Sequence, residues 1–150
     1  MTAPAYAPIR KRIEVPCGQQ MAFEVFVSEM HTWWPLDRFS VAAKYRRRAR
    51  ELRVEPKEGG RIIEVDEDDS EHLWGTFVTY EPFGFVKMHL HIAEPASTPS
   101  HVEVRFTVLG PARTQVDLVQ SNWEAFGRKA PWMREGYDTG WVVIFEQQYH

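Results

Sequence analysis

The stretch Phe85–Ile92, FVKMHLHI, answered after a proline-bounded turn by His101–Leu109, HVEVRFTVL, decides the fold of this 150-residue chain. Apolar and polar residues alternate through both segments. Val86, Met88, Leu90, Val102, Val104 and Phe106 fall on one face, and Lys87, His89, His91, His101, Glu103 and Arg105 on the other. A period of two marks strands with one buried face. The turn signals at Pro95–Pro99 make the two strands a hairpin. The register expected for it sets Leu90 beside Val102, Met88 beside Val104 and Val86 beside Phe106. A slip of one residue would send every apolar side chain to the wrong face.

Working outward, Thr114–Asn122 continues the pattern, with Val116, Leu118 and Gln120 inward and Asp117, Val119 and Ser121 outward. Upstream, Ala49–Glu55, Arg61–Val65 and His72–Tyr80 read as three more strands joined by the turns Pro56–Gly60, Asp66–Ser70 and Pro82–Gly84. His72–Tyr80 carries aromatics on both faces; the reading adopted puts Trp74, Thr76, Val78 and Tyr80 inward. A first strand, Ile9–Val15, precedes a helix over Gly18–Met30, whose apolar residues recur at three and four. Pro35 stops that helix. Trp132–Tyr149 reads as the longest helix, with Met133, Tyr137, Trp141, Ile144 and Phe145 on one stripe. Successive strands joined by short turns give an antiparallel meander. The predicted fold is therefore α+β: a curved seven-stranded antiparallel sheet wrapped around a long C-terminal helix, with short helices after strand 1. Residues 9–150 form one domain behind a loose tail at Met1–Pro8.

Composition narrows the function. With 43% hydrophobic and 26% charged residues the chain is ordinary globular protein, long enough to bury roughly 68–70% of its unfolded surface. Eighteen basic against 21 acidic residues give a net charge of −3, which argues against a nucleic-acid partner. No apolar run approaches the roughly 18 residues of a membrane span, and the N-terminus lacks signal-peptide character, so the expected location is cytoplasmic. The basic run Lys44, Arg46, Arg47, Arg48 and Arg50 is expected to meet the acidic Asp66, Glu67, Asp68, Asp69 and Glu71 across adjacent strand ends. The lone Cys17 excludes an internal disulfide, and packing is the preferred reading of it over catalysis. His89, His91 and His101 share a polar sheet face with Lys87 and Arg105, whose charge disfavours a metal; no metal or cofactor is expected.

Aromatic residues are abundant: six Trp, nine Phe and five Tyr. Trp33, Trp34, Trp74, Tyr80, Phe106, Trp132, Tyr137 and Trp141 are expected to converge where the last helix crosses the sheet. Rings with a few placed polar groups describe a pocket for an apolar or ring-containing ligand. The candidate ligand-binding set is Trp33, Trp34, Trp74, Thr76, Tyr80, Met88, Leu90, Val104, Phe106, Leu118, Gln120, Tyr137 and Trp141, with Thr76, Gln120 and Tyr137 as the polar members. The same rings could instead fill the space as core. No paired carboxylates, nucleophilic triad or phosphate loop marks an enzyme, and no catalytic residue is assigned. Monomer and homodimer both remain open; a dimer could use a sheet edge or an outer aromatic such as Phe77 or Trp123.

Several motifs resemble a known family. Glu55-Pro56-Lys57-Glu58-Gly59-Gly60-Arg61, Trp74-Gly75, Glu81-Pro82, Glu103–Thr107, Trp123-Glu124 and Tyr137-Asp138-Thr139-Gly140-Trp141 are similar, in order and spacing, to a bacterial START-like group. That group is the SRPBCC superfamily, specifically proteins like the activator of the heat-shock protein 90 ATPase, also labelled polyketide cyclase-like. The resemblance implies a helix-grip fold. Members of that group range across lipid or polyketide binding, cyclisation, co-chaperone activity and no known activity. The leading expectation for this chain is binding of a hydrophobic small molecule between the sheet and the last helix; the alternatives are co-chaperone action on a heat-shock protein 90 type ATPase, and cyclase or hydrolase chemistry using Tyr137 or His89 as acid–base. Relatives often carry His where Gln120 stands, and that difference weakens the enzymatic implication.

Overall fold

In a computed structural model the chain is described over residues 7–94 and 97–149. Seven strands form one sheet: β1 (Ile9–Val15), β2 (Ala49–Val54), β3 (Arg61–Asp66), β4 (Glu71–Glu81), β5 (Phe85–Leu90), β6 (Ser100–Gly110) and β7 (Arg113–Ser121). Their spatial order is β1-β7-β6-β5-β4-β3-β2, and every neighbouring pair is antiparallel. The six later strands thus form the predicted meander, and β1 closes onto β7. Most of the tail expected at Met1–Pro8, part of the turn at Pro95–Pro99, and His150 lie outside the described residues.

Three short helices follow β1: α1 (Gln19–Val27), α2 (Met30–Trp33) and α3 (Val41–Lys44). After β7, Asn122 adopts a left-handed backbone (φ 68°) and turns the chain back across the sheet. A 3₁₀ segment, Trp123–Lys129, leads into α4 (Ala130–Trp141), which has a proline in its first turn. The C-terminal helix is not uniform as expected. Val142–Tyr149 is wound as a π-helix, which presents Phe145 and Tyr149 as a stacked pair 5.7 Å apart. The curled sheet gripping this helix is the predicted architecture.

The β5–β6 hairpin keeps the expected faces but not the expected partners. Leu90 pairs with Ser100, Met88 with Val102 and Val86 with Val104, a shift of two residues. Such a shift preserves side-chain parity, so the hydrophobic pattern cannot sense it. Ser100 settles the register: it is buried, and its hydroxyl donates to the Leu90 carbonyl at 3.0 Å.

Strand β4 corrects the sequence reading. Two residues are inserted in its ladders, Trp74 against β3 and Val78 against β5. Each bulge reverses the alternation of faces. Trp74, Phe77 and Tyr80 therefore point toward the helices, while Val78 is 40% exposed. Thr76 pairs with His89 and Arg61 and lies on the outer face. Gly75 is required here, because a Cβ would collide with the His89 carbonyl oxygen. The turn before β3 explains a second motif: the Glu55 carboxylate accepts from the Arg61 amide (2.9 Å) and guanidinium (3.0 Å), and Gly59 takes φ 76°.

Two residues of the basic run, Arg47 and Arg50, meet the acidic turn as expected, whereas Glu71 pairs with Arg53 outside the run (2.7 Å). Arg47 lies 3.7 Å from Glu67 and also contacts Asp68, and Arg50 contacts Asp69. Asp66, itself buried, accepts from the amides of Asp68 and Ser70 and contacts His72 Nε2 at 2.9 Å.

Candidate functional site

The concave side of the sheet is lined with aromatic rings in contact. Phe23 touches Tyr80 and Phe106; Phe26 touches Phe106, Trp33 and Tyr149. Trp34 links Trp33, Trp74 (4.9 Å) and Trp141 (5.8 Å). Trp141 continues to Tyr137, and Tyr137 to Trp123 at 5.7 Å. The chain of rings runs from α1 to the start of α4. Met88, Leu90, Val104 and Leu118 floor it from β5, β6 and β7. Twelve of the thirteen candidate residues thus lie on this concave side; Thr76 is the exception.

Polar atoms inside this apolar volume are costly unless paired, at about 1–3 kcal/mol each. Most are paired. The Trp33 indole donates to the Val25 carbonyl (2.8 Å) and Trp34 to the Phe39 carbonyl (2.6 Å). Trp141 donates to Gln120 Oε1 (2.7 Å), and Gln120 Nε2 donates to Ser100 Oγ (2.8 Å). Trp74 donates to the fully buried Glu64 (2.8 Å), whose carboxylate also accepts from the amides of Val41 (2.7 Å) and Ala42 (2.8 Å). Glu64 has no cationic partner among the described residues; three N–H donors surround it instead.

Trp123 breaks the pattern. Its side chain is fully buried, yet its Nε1–H has no hydrogen-bond partner, alone among buried side-chain polar atoms of the described residues. Beside it, burial pushes the Tyr137 hydroxyl well above the ordinary tyrosine range, with the nearby Glu94 charge adding to the effect. Tyr137 is therefore a protonated donor at any physiological pH. The sequence reading placed Trp123 on an outer surface; the left-handed turn at Asn122 is what folds it inward. A residue type tolerant of that backbone directly before a Trp was the available signal.

Other expectations move as well. Phe77 is fully buried and offers no dimer surface, whereas Trp132, expected in the cluster, is 71% exposed. The three histidines do not gather. His89 and His101 stack on the outer face, 4.5 Å between centroids, but His91 is buried beyond the strand with Nδ1 3.2 Å from the Glu94 carbonyl. Among the described residues no three metal-ligating side chains group together. Burial raises the Cys17 thiol above its ordinary range. His89 and Tyr137 lie on opposite sides of the sheet and cannot act on one substrate.

Against this geometry stand the known proteins. A family model for Activator of Hsp90 ATPase homolog 1-like proteins matches residues 20–146. No curated protein sequence matches significantly. Among solved structures, the chain is similar to the anthrahydroquino-gamma-pyrone synthase Txn09 (26% identity, TM-score 0.61, covering 91% of this chain and 90% of that one). It is similar in fold to CalC, a self-sacrificing resistance protein from Micromonospora echinospora (23%, TM-score 0.68, 97% and 93%). An HSP90 activator from Plasmodium falciparum shares the fold more loosely (16%, TM-score 0.53, 77% and 72%). No helix among the described residues is long and apolar enough to cross a membrane. The chain belongs to the Activator of Hsp90 ATPase homolog 1-like family.

Proposed function

We propose that this family member binds an apolar, ring-containing small molecule between the concave sheet face and α4. The observation that carries the reading is the unpartnered Trp123 Nε1–H, a desolvated donor in an interior where the other buried indoles are all satisfied. A ligand oxygen would complete it. The Tyr137 ring packs 5.7 Å from the Trp123 ring, and the ring surfaces of Trp123, Tyr137 and Trp141 suit a planar ligand. The rings are in mutual contact, so a ligand enters by displacing them, most easily at the half-buried Tyr137. The likeness to a synthase named for a polycyclic anthrahydroquinone–pyrone supports the same ligand class.

The test is titration with 1,8-dihydroxyanthraquinone, read by quenching of tryptophan fluorescence. Trp123→Phe keeps a ring and removes the donor. It should weaken binding about 3- to 10-fold, the worth of one hydrogen bond, and leave stability equal or higher, because an orphaned donor is gone. Unchanged affinity together with lost stability would make Trp123 plain core and remove the reading.

A second reading is co-chaperone action on a heat-shock protein 90 type ATPase. The family description favours it, and Trp132, 71% exposed near the start of α4, is a side chain that such a partner would cover. An ATPase rate unaffected by added domain would eliminate it.

A further inference from the structure

The sheet face turned away from the helices carries a groove of about 420 Å³, lined by Arg10, Arg12, Phe85, Glu103, Arg105 and Asp117. That volume lies within the ~300–1,000 Å³ typical of small-molecule sites. Strand register builds it from two cross-strand rows: Arg12, Asp117, Arg105 and Phe85, then Arg10, Val119, Glu103 and Lys87. Cations exceed carboxylates in these rows, four to two. Asp117 is engaged by Arg12, whose Nε donates to Oδ1 at 2.6 Å. Glu103 stands opposite Lys87. Lys11, at the groove border, directs its ammonium elsewhere, 3.2 Å from Asp138.

Two guanidinium groups are left over. Arg105 lies over the Phe85 ring, 4.7 Å from its centroid, and its exposed guanidinium has no hydrogen bond or ion pair among the described residues. Arg10 has no ion pair among the described residues. Their strands are separated by β7 alone, about 10 Å, and the two residues are offset by two positions along it, which puts their Cα atoms about 12 Å apart on the diagonal. Two arginine side chains span that gap with room for one anionic group between them.

We propose that this outer groove is a second binding site, distinct from the concave interior, that takes a small molecule through one carboxylate or phosphate group bridged by Arg10 and Arg105. The oxyanion accepts from both guanidinium forks, in the geometry arginine presents to such groups. Pairing with Arg12 offsets the charge of Asp117; Glu103, which lines the groove with no ion pair among the described residues, is the carboxylate the bound oxyanion must avoid.

The experiment is an amide-resolved NMR titration of the whole chain with phenyl phosphate and, separately, benzoate, with sodium chloride at matched ionic strength as the control. Saturable shifts should centre on Arg10, Val119 and Arg105, with a Kd of about 1 mM or tighter for at least one ligand. Which ligand binds more tightly identifies the oxyanion. Arg10→Gln and Arg105→Gln should each weaken binding 5-fold or more. Arg48→Gln, in the basic run outside the groove, should not. Arg10 sits on an edge strand, so its variant keeps the test valid should Arg105→Gln unfold β6. Shifts that fail to saturate, that chloride reproduces, or that persist in both groove variants would overturn the site.

Discussion

Glu64→Gln is the substitution with the clearest expected cost. The native carboxylate is fully buried and receives three donors: the Val41 amide at 2.7 Å, the Ala42 amide at 2.8 Å and the Trp74 indole at 2.8 Å. Through them β3 holds the start of α3 and the indole against which Trp34 packs. Gln keeps the shape and one acceptor oxygen, which can serve Val41 and Trp74 as Oε1 does now. Its amide nitrogen then faces the Ala42 N–H, donor against donor. One charge-assisted bond is lost, worth about 1.5–3 kcal/mol, and one buried donor is orphaned. The net loss should be about 2–4 kcal/mol. For a chain this long that is a Tm lowered by about 4–16 °C, a large part of a typical 5–15 kcal/mol stability. Urea unfolding monitored by circular dichroism, with m unchanged, measures it. The Trp74 Nε1–H resonance should move in the same variant, because its acceptor loses its charge. A loss below about 1 kcal/mol with that resonance unmoved would refute the claim that these bonds hold α3 and Trp74 in place.

Two further expectations concern the two faces of the sheet. Gln120→Leu removes the acceptor for the Trp141 indole and should cost about 1–3 kcal/mol by urea unfolding, whereas Thr76→Val, on the outer face, should stay within about 0.5 kcal/mol; equal costs would mean the faces of β4 and β7 are misassigned. On the outer face, burial first, then Lys87 and the neighbouring imidazoles, hold His89 and His101 below the ordinary histidine range, against the opposing pull of Glu103 and Glu124 on His101. The unfolded chain takes up protons at about pH 6.5, so both histidines are neutral in either state above that pH and neither affects stability there. As pH falls from about 6.5 through the lower folded values, the unfolded state binds protons first and stability declines. Between pH 7.5 and 5.5 the Tm of His89→Asn should therefore drop less than that of the native chain, and an equal drop would show that the stacked pair does not resist protonation.

Alternation of polar and apolar residues carried the fold because a face error of one residue in β5, β6 or β7 would bury Lys87, Glu103 or Asp117. It carried no information on shifts of two, and the β5–β6 partners came out displaced by that interval. Ser100 decides between the two registers, since only the observed one gives its buried hydroxyl both the Leu90 carbonyl and Gln120. Polar satisfaction is a property of three strands at once and cannot be read from any one of them.

The site was less legible for a related reason. Each bulge in β4 inverts the faces downstream, and neither Trp74 nor Val78 announces itself as an inserted residue. The first inversion puts Thr76 outside and Phe77 inside; the second restores Tyr80 to the interior. A uniform alternation over His72–Tyr80 was thus right at both ends and wrong between them. Gly75 held the missing clue: a glycine in the centre of an eleven-residue strand marks a close backbone approach, here to the His89 carbonyl, and such approaches accompany bulges. The same limit hid Trp123. Its burial follows from one left-handed residue, Asn122, that returns the chain under the sheet. The interior donor without a partner thus arises from a turn, whereas the rings around it arise from periodicity. That is why sequence pattern found the cluster of rings and missed the unpartnered buried donor within it.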